Sequence, residues 1–384
     1  SLSGSEGPTA ERVANWLREH TSGRLVEGLG GTGLAVVFGG ASAPALLLRA
    51  ELDALPIHEP ADATPHSSQL DGTSHKCGHD GHMTILCAVA RLFEELPPAG
   101  RVVLLFQPAE ETGEGAQAVL DDPRFASLAP RRAFALHNLP GFPEGTVVLR
   151  NGTFAAASQG LHVCAKGETA HASTPHLGRS PALGLARMIQ ELAPLAADVL
   201  PGCRDAFITI TQLVMGQACY GVAPGAGELR ATLRATRDED LAALLKAAVL
   251  RIKRIAASEG IEAEISHHEQ FTAVVNDDHG SQLVERAAGL AKLPMHHVEE
   301  PFPWSEDFGK LLAGRSGALF GLGAGTNAPP MHSVNYDFPD ALLNPGALCF
   351  YALAQLALAD DDEGSAEASR AQPAGEASPA ESEP

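Results

Sequence analysis

Residues 75–82 read HKCGHDGH, placing three histidines, a cysteine and an aspartate in one glycine-containing stretch. Thiolates and imidazoles serve as nucleophile and base or as soft metal ligands, so three chemistries are open: a cysteine nucleophile, a structural zinc module and a hydrolytic metal centre. Cys77 and His79 are too close in sequence to share one regular helical face, but their spacing is natural in a turn. Glu110 and Glu111 follow Pro108 at the end of an apolar run, where adjacent carboxylates repel unless a cation or proton intervenes. Asp53 and His137 also end apolar runs. A cysteine nucleophile could take His79 or His137 as its base, yet this leaves the glutamate pair unexplained. A structural zinc module wants a second cysteine near Cys77, and the nearest, Cys87, falls inside the helix that follows. Metal-assisted hydrolysis uses the most residues with the fewest assumptions, and the donor mixture suits Zn²⁺, with Mn²⁺ or Co²⁺ as alternatives.

These residues need a scaffold that brings them together. ALLLRAEL (45–52), RVVLLF (101–106) and RAFALHN (132–138) read as buried strands. ILCAVARLFEEL (85–96) places Ile85, Leu86, Val89, Leu92, Phe93 and Leu96 on one helical stripe. The alternation predicts an α/β layer with a largely parallel sheet. In such sheets ligands bind at the carboxyl ends of strands, so Asp53, Glu110, Glu111, His137, Cys77 and His79 should converge at one edge.

A second block has a different rhythm. Strand-like runs at 160–166, 207–213, 227–236 and 261–271 alternate with helical segments at 181–195 and 238–260. The order β-α-β-β-α-β is that of a ferredoxin-like unit. It reads as an insertion, because α/β patterning resumes after 275 and ends in a helix over 345–358. The expected division is a catalytic α/β domain from 1–158 and 273–359, an inserted ferredoxin-like α+β domain at 159–272, and an acidic tail at 360–384. The tail holds eight acidic residues and one arginine, with no aromatic residue and no aliphatic one larger than alanine apart from proline, which predicts disorder.

At 384 residues the chain exceeds what one core usually supports, and 45% hydrophobic content is ample for two. A net charge of -20 argues against nucleic-acid binding. No uninterrupted apolar stretch reaches the ~20 residues of a bilayer span, so no membrane partner is expected. The opening SLSGSEGPTAERV has no secretory pattern, and the six scattered cysteines suit reduced thiols; together these predict a cytoplasmic protein.

Seven segments resemble, in order, those of the M20 metallopeptidase family: RAELDALPI (49–57), HKCGHDGH (75–82), LFQPAEETGEGA (105–116), ALHNLPG (135–141), GETAHASTPH (167–176), SEDF (305–308) and MHS (331–333). The CGHDGH form is similar to the amidohydrolase branch, which includes aminoacylases, hippurate hydrolases, indole-acetyl-amino acid hydrolases and N-acetyl-diaminopimelate deacetylases. The resemblance spans roughly residues 5–358. It implies two divalent metals held by Cys77, His79, Glu111, His137 and His332, with Glu110 as general base for a metal-activated water. It also implies that Asp53 orients a ligand, and that the inserted domain is a lid through which a homodimer forms. His171 of that lid would reach the partner's site and stabilise the oxyanion.

Arg234 lies where the family has a lid arginine and could grip a substrate carboxylate; its other reading is an exposed strand arginine. His75, His82 and His176 are open between supporting the site and ordinary hydrogen bonding, with His176 carried as a substrate contact. The chain departs from the family at Gly221-Val222-Ala223-Pro224, where Asn-Val-Ile-Pro is usual, and in lacking the usual R-x-x-H-x-x-P-E helix at its start. The expected activity is hydrolysis of N-acyl amino acids to a carboxylate and a free amino acid. A dipeptidase or carboxypeptidase could use the same centre. A catalytically silent binding protein is the third reading, and retention of Glu110 argues against it.

Overall fold

A computed structural model of the protein describes residues 1–40, 45–60 and 64–370. Helix α1 (Gly7–His20) precedes the hairpin of β1 (Arg24–Leu29) and β2 (Gly33–Phe38). Then come β3 (Ala45–Glu51), α2 (His79–Glu95), β4 (Arg101–Gln107), α3 (Gly115–Asp121), α4 (Pro123–Ala126), β5 (Pro130–Leu139) and β6 (Val147–Leu149). Every residue of β3 and β4 is buried, as continuous apolar runs covered on both faces require.

After β7 (Gly152–Ala155) the chain enters a second unit. It comprises β8 (Ala157–Lys166), the two-residue β9 (Ala170–His171), α5 (Ala182–Leu192), α6 (Leu195–Val199), β10 (Phe207–Met215), β11 (Val222–Ala223), β12 (Ala226–Ala235), α7 (Asp238–Glu259) and β13 (Glu262–Phe271). It returns through β14 (Val274–Asn276), α8 (Asp278–Leu290), β15 (Met295–His297), α9 (Phe308–Leu312), β16 (Ser316–Gly323) and α10 (Leu343–Arg370). Strands β7 and β14 pair antiparallel, so the chain leaves and re-enters the first layer at one place.

The large sheet has the order β1-β2-β4-β3-β5-β16-β6-β15. Its centre, β4-β3-β5-β16, is parallel. The flanks are mixed, with antiparallel pairing of β1 to β2, β2 to β4 and β16 to β6. The largely parallel sheet expected from sequence is thus confined to the strands separated by crossovers. A direct hairpin such as β1-β2 can only pair antiparallel. Leu17, Ile85, Val89, Phe93, Leu283 and Phe350 fill the core on one face, and Val119, Phe125, Phe308 and Leu311 fill it on the other.

Three helical expectations need correction. Helix α2 starts at His79 rather than at 85, because its first turn buries polar side chains that find specific partners instead of an apolar stripe. The helix expected over 181–195 breaks into α5 and α6 at Pro194, which cannot continue it. Helix α10 runs to Arg370, into the segment expected to be disordered, where alanine and glutamate favour a helix; residues 371–384 lie outside the described residues. Residues 340–360 are long and apolar enough, by composition, to cross a membrane. Here Cys349, Phe350, Leu353, Ala354 and Ala357 are buried in the core, against α2 and α8.

The second sheet has the antiparallel order β10-β12-β8-β13, which is what the β-α-β-β-α-β path generates. Leu161, Val163, Leu229, Leu233, Ile252 and Ile255 form its own core under α5 and α7. The alternate residues of β8 and β12 face away from that core.

Candidate metal centre

Four neighbouring parallel strands deliver the polar residues. Asp53 follows β3, Glu110 and Glu111 follow β4, His137 sits near the end of β5, and His332 comes from the loop after β16. Cys77 and His79 enter at the start of α2, which follows β3. Local backbone needs explain the glycines around them. Gly78 has φ +94°, and a Cβ there would stand 2.3 Å from Asn138 Oδ1. Gly115 closes the turn after β4, where a Cβ would meet Pro108 O at 1.6 Å. Ala109 and His332 themselves adopt positive φ, at 47° and 64°, a strained conformation that clusters at functional sites.

The donor atoms converge. Cys77, His79 and His137 form one group, and Cys77, Glu111 and His332 form another, with the donor atoms of each group within 4.8 Å of one another. Cys77 Sγ lies 3.6 Å from His137 Nε2 and 3.3 Å from His332 Nε2, so one sulfur stands between two donor sets. His332 Nε2 is 3.7 Å from Glu111 Oε2, and His79 Nε2 is 3.8 Å from Glu111 Oε1 and 3.9 Å from Glu110 Oε2. Cys77, Glu110, Glu111, His137 and His332, with Trp304, Ser305, Glu306 and Phe271, line a small cavity of about 90 Å³.

Hydrogen bonds aim lone pairs inward. His79 Nδ1 donates to Asp53 O at 2.9 Å, and His137 Nδ1 donates to Asn138 O at 2.9 Å, leaving both Nε2 atoms as acceptors. His79 Nε2 and Glu111 Oε1 are buried without a hydrogen-bond partner. Such orphans carry a desolvation cost that a bound cation would remove. The electrostatics agree. Burial first, then the neighbouring carboxylates, push Glu110 well above the usual carboxylate range. Burial likewise raises Glu111 and the Cys77 thiol. Burial and the nearby His82 bring His137 down to about 3, so it is a neutral imidazole. Carboxyl and thiol groups crowded until they resist ionisation, beside imidazole donors, fit a pair of divalent ions, which would offset the repulsion between their charged forms.

Asp53 behaves differently. Burial would raise it, but His79, the Glu111 N–H at 2.9 Å and the Ser3 hydroxyl at 2.7 Å hold it at about 2. It is an anion that organises a histidine and the glutamate turn at once.

Other sequence candidates are placed elsewhere. His82 is saturated, with Nδ1 2.7 Å from Glu51 Oε2 and Nε2 accepting from Asn138 N at 3.2 Å. His75 lines a separate groove against α1. His171 and His176 are exposed in the second unit and do not line the centre of their own chain. His171 Nδ1 accepts from Ser173 N at 3.1 Å, which leaves the imidazole proton on Nε2. Arg234 donates to Pro303 O at 3.0 Å and Ser305 Oγ at 2.9 Å, so it grips the loop that lines the cavity.

Sequence reasoning missed a charged cluster behind the centre. Fully buried Arg49 binds Glu51, Gln107 Oε1 at 2.9 Å, Glu306 Oε1 at 2.9 Å and Asp307 Oδ1 at 2.8 Å. Burial and Glu306 outweigh Arg49 at Asp307, pushing that carboxyl up to about 7. Glu6 was also missed; it accepts from Ala109 N at 2.9 Å and so braces the turn that carries Glu110. The only sequence signal was a set of charged residues inside or beside runs otherwise apolar.

Donors of this kind at the carboxyl edge of an α/β sheet define a metal-dependent hydrolase. The chain belongs to peptidase family M20/M25/M40, whose sequence profile matches residues 47–356. It is 30% identical to the N-acetyldiaminopimelate deacetylase of Exiguobacterium sibiricum over 67% of this chain and 68% of that one. It is 33% identical to the N-acetyl-L-cysteine deacetylase of Bacillus subtilis over 72% of this chain and 66% of that one. Among solved structures, a dinuclear metal-binding M20 peptidase of Bacillus subtilis superposes with a TM-score of 0.76 at 26% identity, covering 94% of each chain. The chain is accordingly a metallo-amidohydrolase of the M20 fold.

Proposed function

We propose that the protein cleaves N-acyl amino acids at the amide bond, with Cys77, His79, Glu111, His137 and His332 holding two divalent ions and Glu110 acting as the base. The observation that carries this reading is the position of Glu110. It sits 3.9 Å from His79 Nε2, beside both donor sets, and its nearest polar contact is a long one of 3.4 Å from Asp307 N. A buried carboxylate of raised proton affinity, not itself consumed in structural bonds, is suited to accept a proton. The thiolate and imidazole donors favour Zn²⁺, with Mn²⁺ or Co²⁺ as substitutes. When bound, the ions supply Lewis-acid polarisation of the scissile carbonyl and acidify water in the site.

The protein's own groups do the rest. Glu110 takes the proton of the attacking water and returns it to the leaving amine. Asp53 fixes His79 and the backbone of Glu111. Two of the relatives are deacetylases of N-acetyl amino acids, which supports the same substrate class here. Arg234 and His176 are assigned to the substrate carboxylate; Arg234 is half-buried beside Ser305 of the cavity wall, and His176 follows His171 in one exposed segment.

Residues 159–272 act in this reading as an inserted lid that also dimerises, against a catalytic domain of 1–158 and 273–359. Its edge strand β10 is nine residues long and leaves Phe207, Leu213, Val214 and Met215 exposed, as a strand awaiting a partner would. A two-fold pairing there would carry the Nε2–H of His171 to the neighbouring centre. Free thiols at all six cysteines support a cytoplasmic location. The test is turnover of N-acetyl, N-benzoyl and N-indoleacetyl amino acids beside free dipeptides, with metal content measured on the same sample. Efficient dipeptide cleavage with inert N-acyl substrates would move the protein to the peptidases.

A further inference from the structure

The open face of the second sheet carries a second set of metal-capable side chains. His162 and Cys164 lie two apart on β8 and therefore project from one face, while Leu161, Val163 and Ala165 point into the core. Glu228 on β12 is the register partner of Cys164 on one side, and Glu264 on β13 is its partner on the other. The sulfur is thus flanked by two carboxylates. Glu264 is held by Lys166 at 3.1 Å. Glu228 turns to His162, with Oε2 at 3.0 Å from Nε2, and Cys164 Sγ lies 3.5 Å from the same nitrogen.

One ring nitrogen cannot serve a carboxylate and a thiol equally well as a hydrogen-bond partner. A cation among the three serves all of them. The donor atoms already fall within 4.8 Å of one another. In a tetrahedral zinc site, with metal–sulfur about 2.3 Å and metal–nitrogen or –oxygen about 2.0–2.1 Å, neighbouring donors stand about 3.4–3.6 Å apart. The Cys164–His162 spacing of 3.5 Å already fits, and the His162–Glu228 contact of 3.0 Å needs only a small opening. A thiolate, an imidazole and a carboxylate select zinc over magnesium or calcium.

We propose that His162, Cys164 and Glu228 bind one zinc ion per chain on the lid sheet, sharing no donor with the centre at the strand ends. Access is open. His162 borders a cleft of about 520 Å³ whose other walls include Arg230, Thr232, His268 and, across from the sheet, Thr112 and Glu114.

The test uses the whole protein, loaded with zinc and dialysed against zinc-free buffer, with bound zinc counted by mass spectrometry. His162→Ala and Cys164→Ser should each lose one equivalent per chain relative to wild type, while Cys77 stays protected from iodoacetamide. In the wild-type protein, peptide mapping should find Cys164 protected while zinc is bound and alkylated at least tenfold faster after chelation. Equal zinc content in wild type and both variants would overturn the proposal. So would Cys164 labelling at the same rate with and without zinc, a measurement that depends on no variant folding.

Discussion

The strand-end centre and strand β9 of the second unit both present histidines, yet they are built in opposite ways. At the centre, His79 and His137 are buried, each has its Nδ1 spent on a backbone carbonyl, and each aims Nε2 at other donors. On β9, His171 is exposed and its Nδ1 is occupied by Ser173. The first arrangement is complete within one chain. In the function proposed above, the first arrangement holds metal and the second serves a partner's surface.

The contrast can be broken at several points. Chelation, or His79→Ala, should reduce hydrolysis to background, the largest effect expected. Iodoacetamide labelling of Cys77 should rise on chelation, since a metal-held thiolate is shielded; labelling at one rate with and without chelator would remove Cys77 from the ligand set. His171→Ala should lower kcat and kcat/KM alike by about 10²–10³-fold, the usual loss for an oxyanion donor, with metal content unchanged. Mixing His171→Ala with Glu110→Ala protein should restore activity on subunit exchange; a mixture that exchanges and stays inactive would return His171 to a purely local role.

Smaller effects sharpen the same picture. Asp53→Asn should cost about 10–100-fold in metal affinity or turnover, as expected for a group that orients a ligand; unchanged titration of metal into this variant would mean His79 needs no such support. Arg234→Ala should raise KM by about tenfold with little change in kcat, the loss of a hydrogen bond to a charged group. A fall in kcat with constant KM would instead point to the Pro303 and Ser305 contacts as its main work.

Much of this centre was legible because strand-end placement is a property of short sequence windows. The runs before Asp53 and Glu110 are so uniformly apolar that their polar termini stand out. The cluster around Arg49 was not legible for the same reason in reverse. Arg49 and Glu51 sit inside a run that reads as plain strand, and Arg49's partners Glu306 and Asp307 lie more than 250 positions away. Ser3 and Glu6 were missed because their targets, Asp53 and Ala109 N, are equally non-local. The start of α2 was misplaced because His79 and His82 are buried through polar contacts, which hydrophobic periodicity does not register. Of the antiparallel flank pairs, only β1-β2 follows from a tight connection, which apolar runs alone do not distinguish from a crossover.

The central claim is that Glu110 moves the proton while its neighbours hold metal, and Glu110→Gln separates the two tasks. The side chain keeps its size and loses its basicity. The measurement is kcat on an N-acyl amino acid, made on Glu110→Gln protein whose two metals have been counted on the same sample. The account predicts full metal occupancy with kcat reduced by about 10²–10⁴-fold, the range of general acid–base catalysis. Turnover close to wild type in that metal-loaded variant would contradict it.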